Sequence, residues 1–485
     1  MSTQLSPRVA TACLLLASVS LAACVPDLGP RAEVRPLSTL DSTASIAATG
    51  SERDWPRQNW WTAYGDPQLD GLVEEAMRGS PDLATALARV QQARGALQAS
   101  GSALLPTLGA QGSADMSKQS YNNGTPVSAL PHGWKDYGTL ALSANWNLDI
   151  WGKNRALLAA ATSASEASVA DLRQAEMVLA AEVVSSYFDL GRLVEREAVL
   201  QESLKIREDS AKLTRQRYES GLENEMPVRQ ANAETARARV LLAANEEQIA
   251  LRRHALAALM GAGPDRTAQL TPSAIGKIAE TPIPANAGIA LAGRRPDIVA
   301  ARKLVEVSDK GVEYAEKSFL PDISISGLLG LTSLGIDNLF KDGSDYGSGG
   351  AAISLPIFQG GALSGRYRIA RGGYDSMVAN YNGTVVAALQ EVADAISSRT
   401  SAEQQERHAG EAAAEAGAAY DLALQRYKAG LSTYIYVLDT QTTELDARLS
   451  ALDAHFATLT SEVALKRALG GGYADETSEK APTDD

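Results

Sequence analysis

The stretch Gln216-Arg217-Tyr218-Glu219-Ser220-Gly221-Leu222 returns as Gln425-Arg426-Tyr427-Lys428-Ala429-Gly430-Leu431, an offset of 209 residues. Both copies lie in long alanine-rich segments. Downstream the offset holds, with Ala238-Arg239 matching Ala447-Arg448 and Leu259-Met260-Gly261 matching Ala468-Leu469-Gly470. Upstream it becomes 215, where Ser80-Pro81-Asp82-Leu83 aligns with Arg295-Pro296-Asp297-Ile298, and Leu105-Pro106-Thr107-Leu108 with Leu320-Pro321-Asp322-Ile323. A period of this length far exceeds a solenoid unit and marks duplication of half the molecule.

The flanks of the repeated stretch read as helix. Residues 154–218 and 227–259, and in the second half 363–427 and 434–469, are dominated by Ala, Leu, Glu, Gln and Arg. A helix of about 65 residues is about 100 Å long, against a usual length of about 11 to 12 residues. Such helices are expected to pack side by side as hairpins, and scarce aromatics with abundant alanine allow the close approach. Gly221 and Gly430 then fall at the hairpin turns, where glycine ends a helix at positive φ with little steric cost.

Between the repeated prolines and the long helices the period changes to two. From 107 to 117, Leu108, Ala110, Gly112, Ala114 and Met116 alternate with Thr107, Gln111, Ser113, Asp115 and Ser117. From 139 to 150, Leu140, Leu142, Ala144, Trp146, Leu148 and Ile150 alternate with Thr139, Ser143, Asn145, Asn147 and Asp149. Weaker counterparts are Ile323, Ile325, Leu329 and Leu331, then Ile353, Leu355 and Ile357. These are two strand pairs, joined by polar, glycine-rich loops at 119–138 and 335–349. Each is close to the 9 to 11 residues or so that a tilted strand needs to cross a bilayer; the same pattern also suits an amphipathic sheet with one watery face. Four strands cannot close a membrane barrel, whose smallest form has about eight. If these strands cross a membrane the protein must oligomerise, two copies giving eight strands and three giving twelve.

The start of the chain gives a destination. Arg8, an apolar run from Val9 to Val19 and Leu21-Ala22-Ala23-Cys24 read as a secretory signal peptide over 1–23, too short to span a bilayer as an anchor. Leu-Ala-Ala-Cys resembles a bacterial lipoprotein box, which implies cleavage before Cys24 and acylation of its thiol. Val25, rather than an aspartate that signals inner-membrane retention, favours the outer membrane. Residues 24–50 read as an unstructured lipid-anchored tether, 51–264 as the first repeat, 265–292 as a linker, 293–470 as the second repeat and 471–485 as a disordered acidic tail.

Several chemistries are disfavoured. The chain of 485 residues is 45% hydrophobic with a net charge of −13 and scattered basic residues, which argues against nucleic-acid partners. His132, His254, His408 and His455 are widely spaced and lack the i, i+4 pairing of a helical zinc site. The mature chain would keep one cysteine, leaving no internal disulfide or thiolate metal site. No phosphate loop or nucleophile elbow is present. The expectation is a protein with no enzyme activity and no cofactor beyond the lipid on Cys24.

In order along the chain, Trp60-Trp61, Tyr64, Asp66-Pro67, Leu69, Pro81-Asp82-Leu83, Leu105-Pro106 and Leu148-Asp149-Ile150-Trp151-Gly152-Lys153 resemble a TolC-like outer-membrane efflux protein of the OprM/NodT lipoprotein branch. Arg294-Arg295-Pro296-Asp297-Ile298, Phe319-Leu320-Pro321, Leu355-Pro356-Ile357-Phe358 and Arg426-Tyr427-Lys428-Ala429-Gly430 continue the resemblance. It implies a mainly α chain with a small transmembrane β part. Three copies would form a 12-stranded outer-membrane barrel continued by a long α-helical periplasmic barrel. It also implies passive export of small toxic compounds through a homotrimer, with an inner-membrane pump of the RND type supplying energy through a periplasmic adaptor.

The resemblance places adaptor contact at the helix turns, at Arg217, Tyr218, Gly221 and Leu222 and at Arg426, Tyr427, Gly430 and Leu431; the same residues would also serve simply to build two turns. Ile435 and Asp439 share a helix face. Asp439 matches an aspartate lining the periplasmic aperture in relatives, with Tyr436 where a second acid is common; otherwise it is a solvated helix carboxylate. Two other functions fit part of this pattern: a duct for type I protein secretion, and a periplasmic coiled-coil lipoprotein, which leaves the paired strands unexplained.

Overall fold

The computed structural model describes residues 25–122, 124–272 and 281–475. The signal peptide, Cys24, most of the acidic tail and residues 273–280 of the linker lie outside the described residues.

The duplication appears element by element. The first half runs α1 (Pro67–Gly79), α2 (Pro81–Ser102), β1 (Thr107–Ser117), β2 (Lys135–Leu148), α3 (Lys153–Glu219) and α4 (Met226–Leu259). The second runs α5 (Ala287–Arg294), α6 (Pro296–Lys317), β3 (Asp322–Leu334), β4 (Asp345–Ser354), α7 (Ala362–Lys428) and α8 (Tyr434–Ala468). Helices α3 and α7 each have 67 residues, and α2 and α6 each have 22. Pro81 and Pro296 open α2 and α6 at the position where a missing N–H costs nothing. Among the described residues no helix is long and apolar enough to cross a membrane.

One compact unit is built from residues 90–168 and 301–381 with the N-terminal segment through Val34. It holds one antiparallel sheet in the order β1-β2-β3-β4. The register sets Leu108 opposite Ala144, Leu142 opposite Leu329, Trp146 opposite Ile325 and Ile323 opposite Ile353. Alternation along each strand then puts Leu108, Ala110, Leu140, Leu142, Trp146, Ile323, Ile325, Leu329 and Ile353 on one face. Thr107, Gln111, Ser113, Thr139, Asn145, Ser324, Ser326 and Ser348 share the other. Leu108, Leu142, Leu329 and Ile353 are exposed, as an apolar face without a neighbour must be.

Two strands differ from the sequence expectation at both of their ends. Strand β2 starts at Lys135 and stops at Leu148, before Asp149 and Ile150. Asp149 instead accepts the N–H groups of Asn154 and Arg155, both at 2.9 Å, and starts α3. Strand β4 begins at Asp345 inside the expected glycine-rich loop and ends before Pro356, which has no N–H to donate. Pairing with β3 holds Gly347 and Gly349 extended; a Cβ on Gly347 would come within 2.9 Å of Leu329.

The strand-to-helix joint gives the block Leu148-Asp149-Ile150-Trp151-Gly152-Lys153 a physical role. Trp151 donates its indole N–H to the Pro321 carbonyl at 2.7 Å, and Lys153 Nζ meets Asp322 Oδ1 at 2.6 Å. Thus the block ending the first strand pair is tied to the Leu-Pro-Asp entering the second. Below them Val312, Ala315, Phe319 and Tyr367 form a small core.

The second unit contains residues 35–89, 169–300 and 382 onward. Its main core gathers Trp60, Trp61, Leu69, Leu72, Val73, Tyr187, Phe188, Leu256 and Phe456. Asp66 caps α1 by accepting the N–H groups of Gln68 and Leu69, and its other oxygen accepts the Tyr187 hydroxyl at 2.6 Å. Arg295 is buried and charge-paired with Asp297 at 2.6 Å and Glu391 at 2.8 Å.

Residues 25–50 are bound to the protein rather than free, a correction to the unstructured tether. Val25 packs on the Phe319 core, and Arg31 reaches Asp309 at 3.0 Å and Glu316 at 2.9 Å. The N–H of Ala32 donates to Asp375, that of Arg35 to Asn382, and Ile46 is buried. An extended strap held by distant partners has no periodicity, so its composition looks like a linker.

Candidate functional site

Both long hairpins turn in the same way. At the first, the N–H of Gly221 donates to Tyr218 O and that of Leu222 to Arg217 O, both at 2.9 Å. At the second, Gly430 donates to Tyr427 O at 2.9 Å and Leu431 to Arg426 O at 2.8 Å. These are Schellman caps, with the glycines at φ 73° and 74°. In that motif the residue after the glycine usually folds onto the helix. Here the underlying residue is an arginine, and Leu222 and Leu431 stay 67% and 70% exposed.

The two Arg-Tyr copies divide their labour. Tyr427 is fully buried, while its counterpart Tyr218 is 43% exposed. The Arg217 guanidinium lies over the Tyr427 ring, 4.9 Å from its centroid, while Arg426 is exposed. The Tyr427 hydroxyl donates to Glu223 Oε2 at 2.8 Å, and Arg217 Nε stands 3.8 Å from Glu223 Oε1. Burial first, and then the Glu223 carboxylate, push the Tyr427 phenol well above its ordinary pKa. The phenol therefore stays protonated and remains a donor. Around it, Ala231, Tyr420, Tyr434 and Val437 pack with Ile206, Leu213 and Leu424, so one small core joins the ends of α3, α4, α7 and α8.

Helix α8 leaves this core with two faces. Tyr434, Val437, Gln441 and Leu445 are buried, at the spacing of an inward stripe. Ile435, Tyr436 and Asp439 are exposed on the other side, together with Thr442, Thr443 and Asp446. The three residues assigned from sequence thus form one open stripe. Asp446 lies two turns beyond Asp439 and was missed, although its i, i+7 spacing was available in the sequence. Glu223 was also missed, because its partner lies 204 residues away. Among the described residues no group of histidine, cysteine, aspartate and glutamate is arranged to hold a metal ion.

The first unit thus carries an amphipathic sheet with open edges among the described residues, and the second carries protruding leucines at its turns and an acid-bearing helix face. The profile of the outer membrane efflux protein family matches residues 72–262 and 290–471, one segment in each repeat. The fusaric acid resistance protein FusA of Burkholderia cepacia is 32% identical over 370 residues, spanning 74% of this chain and 69% of that protein. The multidrug resistance outer membrane protein MdtP of Escherichia coli O6:H1 is 29% identical over 375 residues, 76% of each chain. The crystal structure of the outer membrane protein VceC from Vibrio cholerae superposes with a TM-score of 0.80 at 37% identity, covering 86% of this chain and 100% of that one.

Proposed function

The chain belongs to the outer membrane efflux protein family, and from that membership we propose a passive exit duct assembled from three copies. Its function is efflux at the outer membrane, and the duct performs no chemistry. The carrying observation is the sheet, which is apolar on one face from β1 to β4 and, among the described residues, ends in two edges without a partner strand. In lipid each unpaired backbone group costs several kcal/mol, so an open edge must be closed. Three copies would supply twelve strands, the number that the resemblance to TolC-like proteins implies. The apolar face then meets lipid and the Thr/Ser/Asn face lines the lumen.

The long helices continue the duct into the periplasm. The exposed Leu222 and Leu431, with Gly221 and Gly430 shaping their turns and Arg217, Tyr218, Arg426 and Tyr427 beside them, are the docking points for a periplasmic adaptor. That adaptor links the duct to an energised inner-membrane pump of the RND type. Ile435, Tyr436 and Asp439 line the periplasmic aperture, where threefold assembly gathers three carboxylates that favour cations over anions. A lipid on Cys24 anchors the chain, and small toxic compounds are the cargo, as the resistance names of the relatives suggest.

The test is the mass of the protein extracted by detergent from the outer-membrane fraction, measured by light scattering with the detergent subtracted. A trimer is expected. A monomer would overturn the duct.

A further inference from the structure

Within the first unit, the sheet order β1-β2-β3-β4 is repeated by the helix segments that continue the strands. A Cβ on Gly101 of α2 would touch Leu158 of α3 at 3.7 Å, and Asn154 at the start of α3 donates to the Ala103 carbonyl at 3.3 Å. Helix α3 reaches α6 through Glu166 and Lys303 at 3.0 Å and through Ser163 and Glu306 at 3.1 Å. Helix α6 in turn packs Val312, Ala315 and Phe319 on Tyr367 of α7. The segments form a row, with α2 at one end and α7 at the other. Each end helix buries one side and leaves the other open. On α7, Tyr367, Arg371, Val378 and Tyr381 are buried. About 200° around the helix runs a second stripe at heptad spacing, Gly365, Ile369, Gly372, Ser376 and Ala379. Ile369 is 76% exposed, and a Cβ on Gly365 or Gly372 would meet nothing within 4 Å. On α2, Val90 is buried and Ala93, Leu97 and Gly101 follow on the same side, half-buried. The other side carries Gln92, Gly95 and Ala99, all exposed, and a Cβ on Gly95 would likewise meet nothing.

Glycine inside a helix weakens it relative to alanine, and nothing within the chain requires Gly95, Gly365 or Gly372 to lack a side chain. Small residues instead let two helix backbones approach closely. The α7 stripe faces away from α6 and the α2 stripe away from α3, so the two point outward from opposite ends of the row. Two such halves close into a ring when copies repeat the contact by rotation. We infer that the Gly365–Ala379 face of α7 packs on the Gln92–Ala99 face of α2 in the next copy. The two helices run antiparallel there, because α2 leads into β1 and α7 leads out of β4. The inference rests on the trimeric duct proposed above and deepens it: the helices seal the seam directly below the point where β4 meets β1 of the next copy. Ile369 is the only large apolar side chain in either stripe. It lies seven residues into α7, and Gly95 lies seven residues before the end of α2. Both are about 10 Å from the sheet ends of their helices, which sets the isoleucine over the glycine.

The experiment places cysteines at both positions in the full-length chain, G95C/I369C, in its native membrane. A short flexible bis-maleimide is then added, and the products are separated under denaturing conditions. Wild type, which carries only Cys13 and Cys24, gives the background. Covalent dimers and trimers are expected from the double variant, and dimers alone when G95C and I369C chains are co-expressed. No multimer from G95C/I369C particles whose mass is trimeric refutes the packing and leaves the duct standing. Should that variant not assemble, G372L decides. Its leucine has open space in the single chain, so monomers with the full helical signal support the packing, and a trimer melting at the wild-type temperature refutes it. If wild-type particles are monomeric, the duct reading fails and the inference falls with it.

Discussion

Removing one oxygen, in Tyr427→Phe, is expected to unlatch the two turns of each chain. The substitution keeps the ring under Arg217 and deletes the hydroxyl that donates to Glu223 at 2.8 Å. A hydrogen bond to a charged group contributes about 1.5 to 3 kcal/mol net. Glu223 keeps Arg217 at 3.8 Å, so its carboxylate is not left without a countercharge, and the lower end, about 1.5 kcal/mol, applies. The cation over the ring, worth about 0.5 to 1 kcal/mol, is retained. About 1.4 kcal/mol is tenfold in an equilibrium. If the two turns must part for the aperture to widen, the open fraction of purified channels in planar bilayers should rise about tenfold. Glu223→Gln attacks the same bond from the other side and should give a similar rise, and the double variant little more than either. Wild-type open fractions in both single variants would refute the latch.

Asp439→Ala should raise conductance or weaken cation preference, read as a smaller reversal potential in a salt gradient; unchanged currents would remove Asp439 from the constriction. Gly221 and Gly261 both sit at positive φ, at 73° and 68°, but only Gly261 is crowded, with a Cβ there falling 2.1 Å from the Gly79 carbonyl oxygen. Gly221→Ala should thus cost the left-handed backbone penalty alone, about 1 to 2 kcal/mol, and Gly261→Ala should abolish accumulation in the outer membrane; equal thermal shifts would contradict this. Burial, followed by Glu444 and Asp421, pushes Tyr420 up to about 12, and Tyr427 and Tyr434 are raised as well. A raised folded pKa means that this stabilisation is complete below the ordinary tyrosine value, about 10, and is lost as pH climbs through the folded value. Helical signal from the turn region should therefore fall between about pH 10 and pH 12 as phenolate absorbance appears; phenolate formation at the lower pH with helices intact would refute the burial argument.

Much of this architecture was legible because it is periodic. The long helices lie within two residues of their expected ends, since composition changes sharply at Gly221 and Gly430 and a proline or turn follows. Strand β1 starts and ends where its alternation does. Where periodicity failed, another force decided. The glycines of β4 carry no pattern and become a strand only by pairing with β3, and residues 25–50 are fixed by Arg31, Ala32 and Arg35 finding partners far along the chain. The site divides in the same way. The glycines and leucines of the turns and the Ile435–Asp439 face could be read locally, whereas the different fates of Tyr218 and Tyr427 could not. Identical dipeptides gave no hint that one ring is buried and the other open.

The equal lengths of α3 and α7 work as matched gauge rods. One residue added to α3 alone would advance its far end by about 1.5 Å and swing it through about 100°. Arg217 would then leave the Tyr427 ring, and Leu222 would protrude in a new direction. No change of side-chain chemistry would be needed to disable the turns. Residue count in these helices is accordingly a constraint in its own right, and insertions can be absorbed at the strand loops far more readily than anywhere between Lys153 and Glu219 or between Ala362 and Lys428.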